Sequence, residues 1–226
     1  MQIFLEKVVA VNIVFDFGAV LFTWQPGLLI QTHFPDHAAT QAQRSALAHA
    51  VFGHADWHNF DRGELSAAEV SARTAVRLSL NESALRALVN GIGERLQPMA
   101  DTLTLLAQLR ALRDQAGSDL RLYYLSNMPK AYARVLEQRH EFIGWFDGGI
   151  FSGDVHQIKP EPEIYEMLER RYQLEPSQPV FIDDLAGNVV QAQSRGRHGI
   201  HFEPAEQLKL QLHQVLNLRL NAPLAT

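Results

Sequence analysis

The sequence has 226 residues, 46% of them hydrophobic, which is enough for one buried core that carries a smaller inserted unit. Its formal net charge is −5 and it contains no run of Lys or Arg. This argues against nucleic acid or an anionic membrane as the main partner, because both attract basic surfaces. It contains no cysteine, which excludes disulfides, thiolate metal sites and a cysteine nucleophile.

The first apolar segment of the sequence resembles a signal sequence only in part. Glu6 interrupts it, no small-residue cleavage site follows, and the segment ends on Asp16. The sequence also has no run of about 18 apolar residues, the length that crosses a bilayer. We therefore expect a soluble, cytoplasmic protein that does not bind membranes.

Five short apolar runs have the composition of buried parallel strands, being rich in Val, Ile, Phe and Tyr. They are Val11–Phe15, Leu120–Leu125, Gly149–Phe151, Val180–Ile182 and Gly199–Phe202. Helical patterns separate the later runs: one follows Asp101, a predicted N-cap, and another follows Pro160 and Pro162. Strands that alternate with helices predict an α/β fold with a doubly wound, Rossmann-like parallel sheet.

The stretch from residue 25 to residue 98 has a different pattern, with helical periodicity and no convincing strand. Helices are predicted over Thr40–Phe52, Ser66–Leu80 and Glu82–Leu96. Ser66 and Glu69 have the spacing of a capping box at a helix start. We predict an all-helical cap at 25–98, inserted into an α/β core formed by residues 1–24 and 99–226.

The end of the sequence also has a helical pattern. Its apolar residues recur at helical spacing, at Leu208, Leu212, Val215 and Leu216. This predicts a final helix that packs on the core or, alternatively, forms a dimer contact. A monomer and a homodimer both remain open.

Residues suited to phosphate and metal chemistry follow the predicted strand ends or precede a predicted helix. They are, in chain order, Asp16, Gly18, Ser126, Asn127, Lys159, Asp183 and Asp184. Ligands of an open α/β sheet bind beyond the carboxyl ends of its strands, so these residues are expected to converge. Carboxylates bind Mg²⁺, an ammonium neutralises phosphate charge, and a hydroxyl hydrogen-bonds phosphate oxygens. Each residue alone has a structural explanation, but together they predict a crevice for a phosphoryl group and a divalent cation.

The fragments that carry these residues resemble the haloacid dehalogenase superfamily. FDFGAVL, YYLSN, IKPEPEIY and FIDDLAGNV are similar, in this order, to its four motifs, and FDRGELS is similar to a segment of its helical caps. The resemblance extends over nearly the whole chain. It points to the subgroup that includes sugar-1-phosphate phosphatases and the N-terminal domains of epoxide hydrolases, and it implies a hydrolase.

The resemblance also implies a mechanism, in which Asp16 attacks phosphorus and water then hydrolyses the aspartyl-phosphate. Asp16, the Gly18 carbonyl and Asp184 would hold Mg²⁺, with Asp183 binding directly or through water. The residues implied to bind the phosphoryl oxygens are Ser126, Asn127 and Lys159. The implied substrate is a small phosphorylated metabolite, and within this subgroup a sugar phosphate.

Gly18 departs from the pattern of most phosphatases in the family, which carry an Asp there as the general acid. General acid catalysis contributes roughly 10²–10⁴ in rate. Either the cap supplies the proton, or the substrate has a good leaving group, or the activity is weak. The candidate acids in the predicted cap are His54, His58, Asp61 and Glu64.

Two alternatives to a phosphatase remain open. A haloacid dehalogenase would use Asp16 without metal, although such enzymes generally lack the paired acids seen at Asp183 and Asp184. The other is a weakly active binding protein that retained the fold. Three aromatic residues are candidates for lining a substrate pocket, although aromatic residues are more often part of the core: Trp24, Trp57 and Phe60.

Overall fold

The protein is described from a computed structural model over residues 11–174, 179–203 and 205–220. Five parallel strands form one sheet in the order β3-β2-β1-β4-β5. They are β1 (Val11–Phe15), β2 (Leu120–Ser126), β3 (Gly148–Phe151), β4 (Pro179–Asp183) and β5 (His198–His201). Each predicted strand is confirmed to within one residue at either end. The first ten residues of the predicted core lie outside the described part of the chain.

The central strand β1 positions the predicted site residues. All five of its residues are buried, because β2 and β4 flank it and helices cover both faces of the sheet. Phe15 is in register with Tyr124 on one side and Ile182 on the other. The carboxyl ends of β1, β2 and β4 therefore lie at one edge of the sheet, which is the edge at which the predicted site residues occur.

The predicted all-helical insert lies after β1 and contains five α-helices. Its α-helices are α1 (Pro26–His33), α2 (Gln41–Phe52), α3 (Ala55–Asp61), α4 (Ala67–Leu78) and α5 (Glu82–Arg95), with a short 3₁₀ turn at Pro35–His37. The predicted capping box is confirmed, since the Ser66 Oγ accepts from the Glu69 backbone and the Glu69 side chain accepts from the Ser66 backbone. The predicted limits of a separate cap domain, residues 25 and 98, stay a prediction.

The remaining helices surround the sheet. They are α6 (Ala100–Arg113), α7 (Lys130–Arg139), α8 (Ser152–Val155), α9 (Pro162–Tyr172), α10 (Ala186–Ser194) and α11 (Ala205–Leu220). The prediction of Asp101 as an N-cap is wrong: Met99 occupies that position, and Asp101 lies in the first helical turn. Burial of Leu208 and Leu212 against α6 confirms that the final helix packs on the core.

The insert and the sheet share one continuous apolar cluster. Phe17, just after β1, contacts the rings of Phe22, Tyr124 and Phe151 at centroid distances of 5.5, 5.0 and 5.1 Å. This packing fixes the loop that carries Gly18. Among the residues described, no helix is both long and apolar enough to cross a bilayer.

Candidate active site

Asp16 occupies the end of the central strand, at the point where the backbone leaves the sheet. Its backbone N–H donates to the Ile182 carbonyl at 2.9 Å, which continues the pairing with β4. Its side chain is almost fully buried, and Oδ1 accepts from the Phe17 backbone N–H at 2.7 Å. The Ser126 hydroxyl also hydrogen-bonds this carboxylate. The strand thus holds one carboxylate in a fixed orientation.

Lys159 brings the one ammonium of this cluster into contact with two of the acids. Its Nζ lies 3.0 Å from Asp16 Oδ1 and 2.5 Å from Asp183 Oδ2, and the side chain is 2% exposed. Burial alone would lower the pKa of Lys159, but the Asp16 and Asp183 carboxylates outweigh it and raise the pKa. Lys159 therefore carries a proton and a full positive charge.

Asn127 holds the lysine segment in place. Its side-chain Nδ2 donates to the Lys159 carbonyl at 2.9 Å, and its Oδ1 accepts from the Lys159 backbone N–H at 2.7 Å. Both polar ends of the Asn127 side chain are therefore occupied by the lysine backbone. Its predicted contact with substrate stays a prediction.

The paired acids at the end of β4 have different surroundings. The carboxylate of Asp183 accepts from three donors: the Lys159 ammonium, the Leu185 backbone N–H at 2.9 Å and the Asn188 side chain at 2.8 Å. The carboxylate of Asp184 accepts from its own backbone N–H. We therefore expect Asp184, rather than Asp183, to turn an oxygen toward a bound cation.

Three acids of this site have the geometry of a cation site. One carboxylate oxygen from each of Asp16, Asp183 and Asp184 lies within 4.8 Å of the other two. Burial, together with the Asp183 and Asp184 charges, raises the pKa of Asp16 against the opposing effect of Lys159. Burial and the Asp183 charge raise the pKa of Asp184 to about 6. One ammonium does not balance three clustered carboxylates, and hard oxygen donors with excess negative charge fit a divalent cation such as Mg²⁺.

A pocket of about 420 Å³ lies between this cluster and the helical insert. Asp16, Gly18, Ser126, Lys159 and Asp184 line its inner end. The insert and the segments that flank it supply an apolar wall, formed by Trp24, Phe52, Trp57, Ile92 and Leu96. The side of the pocket formed by the sheet edge, here called the inner end, is thus charged. The side formed by the insert, here called the outer end, is mainly apolar, with His58 and Asp61 as its polar residues.

The apolar wall includes two of the three aromatic residues considered from the sequence, Trp24 and Trp57. The third, Phe60, is instead a core residue that contacts Trp57 and Tyr132 at centroid distances of 5.3 and 5.5 Å. Phe52 also lines the pocket and was not among the predicted pocket residues. Nothing in the local pattern distinguishes it from an ordinary residue near a helix end.

The four candidate acids of the insert separate into two groups. The Nδ1 of His54 accepts from the Asp56 backbone and caps α3, and Glu64 is 53% exposed beside Arg62. His58 and Asp61 line the pocket. The structure therefore brings two of the four into the pocket that Asp16 also lines.

Comparison with known proteins agrees with the fold. A family model described as haloacid dehalogenase-like hydrolase matches residues 7–192. The sesquiterpene phosphatase astK of Aspergillus oryzae is 25% identical over 203 residues, which cover 90% of this chain and 95% of that protein.

Two solved structures share the fold, each at 19% identity. One is a haloacid dehalogenase family enzyme from Bacteroides thetaiotaomicron in complex with magnesium and inorganic phosphate, with a TM-score of 0.65 over 86% of this chain and 95% of that one. The other is the L-2-haloacid dehalogenase of Xanthobacter autotrophicus with chloropropionic acid covalently bound, with a TM-score of 0.62 over 96% and 86%. The family match covers most of the sequence, and this chain belongs to the haloacid dehalogenase-like hydrolases.

Proposed function

We propose that this hydrolase is a Mg²⁺-dependent phosphatase that cleaves small phosphate monoesters through an aspartyl-phosphate on Asp16. The observation that carries the proposal is the cluster of three acids around one buried lysine, Lys159, at the end of a pocket that admits a small molecule. When bound, Mg²⁺ would neutralise phosphate charge, so that an anionic nucleophile and an anionic substrate could approach each other.

The residues of the site have complementary roles in this proposal. Asp16 attacks phosphorus, and the bond from phosphorus to the ester oxygen breaks. Lys159 and Ser126 hold the transferring phosphoryl oxygens, and Lys159 also favours the ionised form of Asp16. Asp183 fixes the ammonium, while Asp184 and the Gly18 carbonyl would complete the oxygen ligands for the cation.

The cluster favours a phosphatase over a dehalogenase that works without metal. Three neighbouring carboxylates repel one another unless a cation lies among them, and Lys159 supplies a single charge. Asp184 has no evident use in a metal-free reaction. The relative from Aspergillus oryzae, which carries the name phosphatase, supports the same choice.

The lining of the pocket also indicates which alcohol the phosphate ester carries. A buried sugar hydroxyl without a partner costs about 1–3 kcal/mol, whereas each buried methylene contributes about 0.8 kcal/mol. The apolar wall therefore favours an apolar alcohol over a sugar, and a sesquiterpenyl phosphate is one candidate, from the printed name of that relative. The sugar phosphate expected from the resemblance stays a second candidate.

A panel of phosphorylated compounds tests both parts of the proposal. The purified protein is assayed for phosphate release from sugar phosphates, prenyl phosphates and aryl phosphates, each with Mg²⁺ and with excess chelator. We expect Mg²⁺-dependent turnover, with the highest kcat/KM on an apolar ester. A haloacid is assayed beside the panel, and its turnover in excess chelator would contradict the proposal. A cytoplasmic location and a monomeric or homodimeric state remain our predictions.

A further inference from the structure

We propose that Asp61, at the end of α3 in the insert, is the general acid that replaces the residue missing at Gly18. This inference rests on the proposed phosphatase function and adds a catalytic residue to it. It begins from geometry: Asp61 and Asp16 line the same pocket, from the insert and from the sheet respectively. A proton donor at Asp61 would therefore face the same pocket in which Asp16 attacks the ester.

The backbone around Asp61 is fixed to the core. The Ser152 hydroxyl donates to the Asp61 carbonyl at 2.6 Å. The next residue, Arg62, donates through both terminal nitrogens to Glu161 at 2.6 and 2.7 Å, only two residues beyond the site lysine. Such anchoring would hold the Asp61 carboxyl at a constant position over the site.

Gly63 adds a third constraint to the same turn. Its φ is +79°, and a Cβ there would lie 2.9 Å from the Gly153 carbonyl oxygen, so the insert approaches the core backbone more closely than a side chain allows. Three consecutive residues of the insert, Asp61–Gly63, therefore contact core segments directly.

The Asp61 carboxyl itself has no compensating partner. Within the described residues, no cation and no hydrogen-bond donor accompanies it, and the charge that it senses is that of Asp16. Burial, with the Asp16 charge as the second cause, raises the pKa of Asp61 to about 8. The nearby Tyr132 hydroxyl already donates to the Val89 carbonyl at 2.5 Å. The surroundings of Asp61 thus favour its protonated form, which is the form that a general acid needs.

His58 is the other insert residue in the pocket, but its chemistry fits the role less well. Burial and the Arg62 charge lower the pKa of His58, so the ring is neutral at neutral pH. A neutral imidazole is a far weaker acid than a carboxyl group. Of the two, Asp61 holds a transferable proton.

The proposed step balances as follows. An oxygen of Asp16 bonds to phosphorus, the bond from phosphorus to the ester oxygen breaks, and the proton of Asp61 passes to that oxygen. Water then attacks the aspartyl-phosphate, and the Asp61 carboxylate takes a proton from that water. Phosphate leaves, and both aspartates return to their starting states.

The test is the dependence of kcat/KM on leaving-group pKa across a series of aryl and alkyl phosphates, with Mg²⁺ present. Asp61→Asn preserves the volume of the side chain but cannot donate a proton as a carboxyl group does. We expect it to retain turnover of 2,4-dinitrophenyl phosphate within a few-fold and to lose about 10²–10⁴ on alkyl phosphates. The matched control is Glu64→Gln, three residues away and outside the pocket, whose plot should coincide with that of the wild type.

Two results would overturn the inference. One is a plot for Asp61→Asn that runs parallel to the wild type, whether at equal or uniformly lower rates. The other is a steeper dependence of kcat/KM on leaving-group pKa in His58→Asn, with no such change in Asp61→Asn. Retained turnover of the dinitrophenyl ester shows that the variant is folded. A wild-type protein that hydrolyses no phosphate ester would instead refute the proposed function itself.

Discussion

The two ends of the pocket are built by opposite means. At the inner end, charged side chains are held by specific hydrogen bonds at the edge of one sheet, as with Lys159 between Asp16 and Asp183. At the outer end, the apolar wall comes from separate segments of the chain and is held by packing, as with Phe52 against Trp57 at 4.7 Å. From this contrast we infer that the sheet side supplies the nucleophile and the cation ligands, whereas the insert selects the substrate and supplies the proton.

The largest effect should come from the nucleophile. Asp16→Asn fills the same volume but cannot attack phosphorus, so we expect turnover of the best ester to fall to background while thermal stability is retained. Asp101→Asn, an exposed aspartate in the first turn of α6, is the matched control and should leave kcat unchanged. Turnover of Asp16→Asn at near wild-type rate would remove Asp16 from the mechanism.

The second effect separates the paired acids at the inner end. Asp184→Ala should raise the Mg²⁺ concentration for half-maximal activity by at least about tenfold, while the free energy of unfolding changes by less than about 1 kcal/mol. Asp183→Ala breaks a buried ion pair with Lys159 and should cost about 3–5 kcal/mol of stability. Metal titrations and denaturant unfolding of both variants distinguish these outcomes.

Equal metal dependence in the two variants would contradict this division of roles. Full activity of the wild type in excess chelator would contradict the metal site altogether. In that event the three-carboxylate cluster would need another explanation, and a dehalogenase-type hydrolase would become the better proposal.

The inner end could be predicted from the sequence for a physical reason. A strand buried on both faces is a continuous apolar run, so the residue that ends it is visible without knowing the fold. Asp16, Ser126 and Asp183 were located in this way, because parallel strands place their carboxyl ends at one edge. The environment of Asp61 could not be predicted, since its burial depends on how the insert packs on the core.

Two helices of the insert could also not be predicted from the sequence pattern. Helix α3, Ala55–Asp61, has 7 residues, too few for a helical period to stand out. Helix α1, Pro26–His33, buries Ile30 alone and has no side-chain cap at its start. Both helices position residues of the apolar wall, because Trp24 precedes α1 and Trp57 lies in α3. Its composition is therefore a property of tertiary packing.

The third effect tests the outer end of the pocket. Phe52→Ala removes an aromatic ring from the apolar wall and should raise KM for an apolar ester by about 10–100-fold, since lost apolar contacts in a pocket amount to 1–3 kcal/mol. Inhibition by inorganic phosphate, which we expect to bind at the inner end, should not change. Val76→Ala in the same insert, at a residue that is 84% exposed, is the control. A parallel loss of phosphate affinity would show that the two ends are not independent.

The smallest effect in the wild type should come from restoring an acid at Gly18. A Cβ added there meets nothing within 4 Å, so Gly18→Asp is sterically admissible and its carboxyl can point toward the site of Asp16. If Asp61 already supplies the proton, Gly18→Asp should change the wild-type rate on alkyl phosphates by only a few-fold.

In the Asp61→Asn background the same change should recover much of the lost rate, because the proton then comes from the sheet instead of the insert. Gly18→Ala in that background, which adds a Cβ without a proton, should recover nothing. Measuring kcat/KM for alkyl and dinitrophenyl phosphates in this set of variants separates an exchangeable proton donor from a change in shape. Recovery by Gly18→Ala, or none by Gly18→Asp in a protein that still turns over the dinitrophenyl ester, would show that the two positions do not exchange this role.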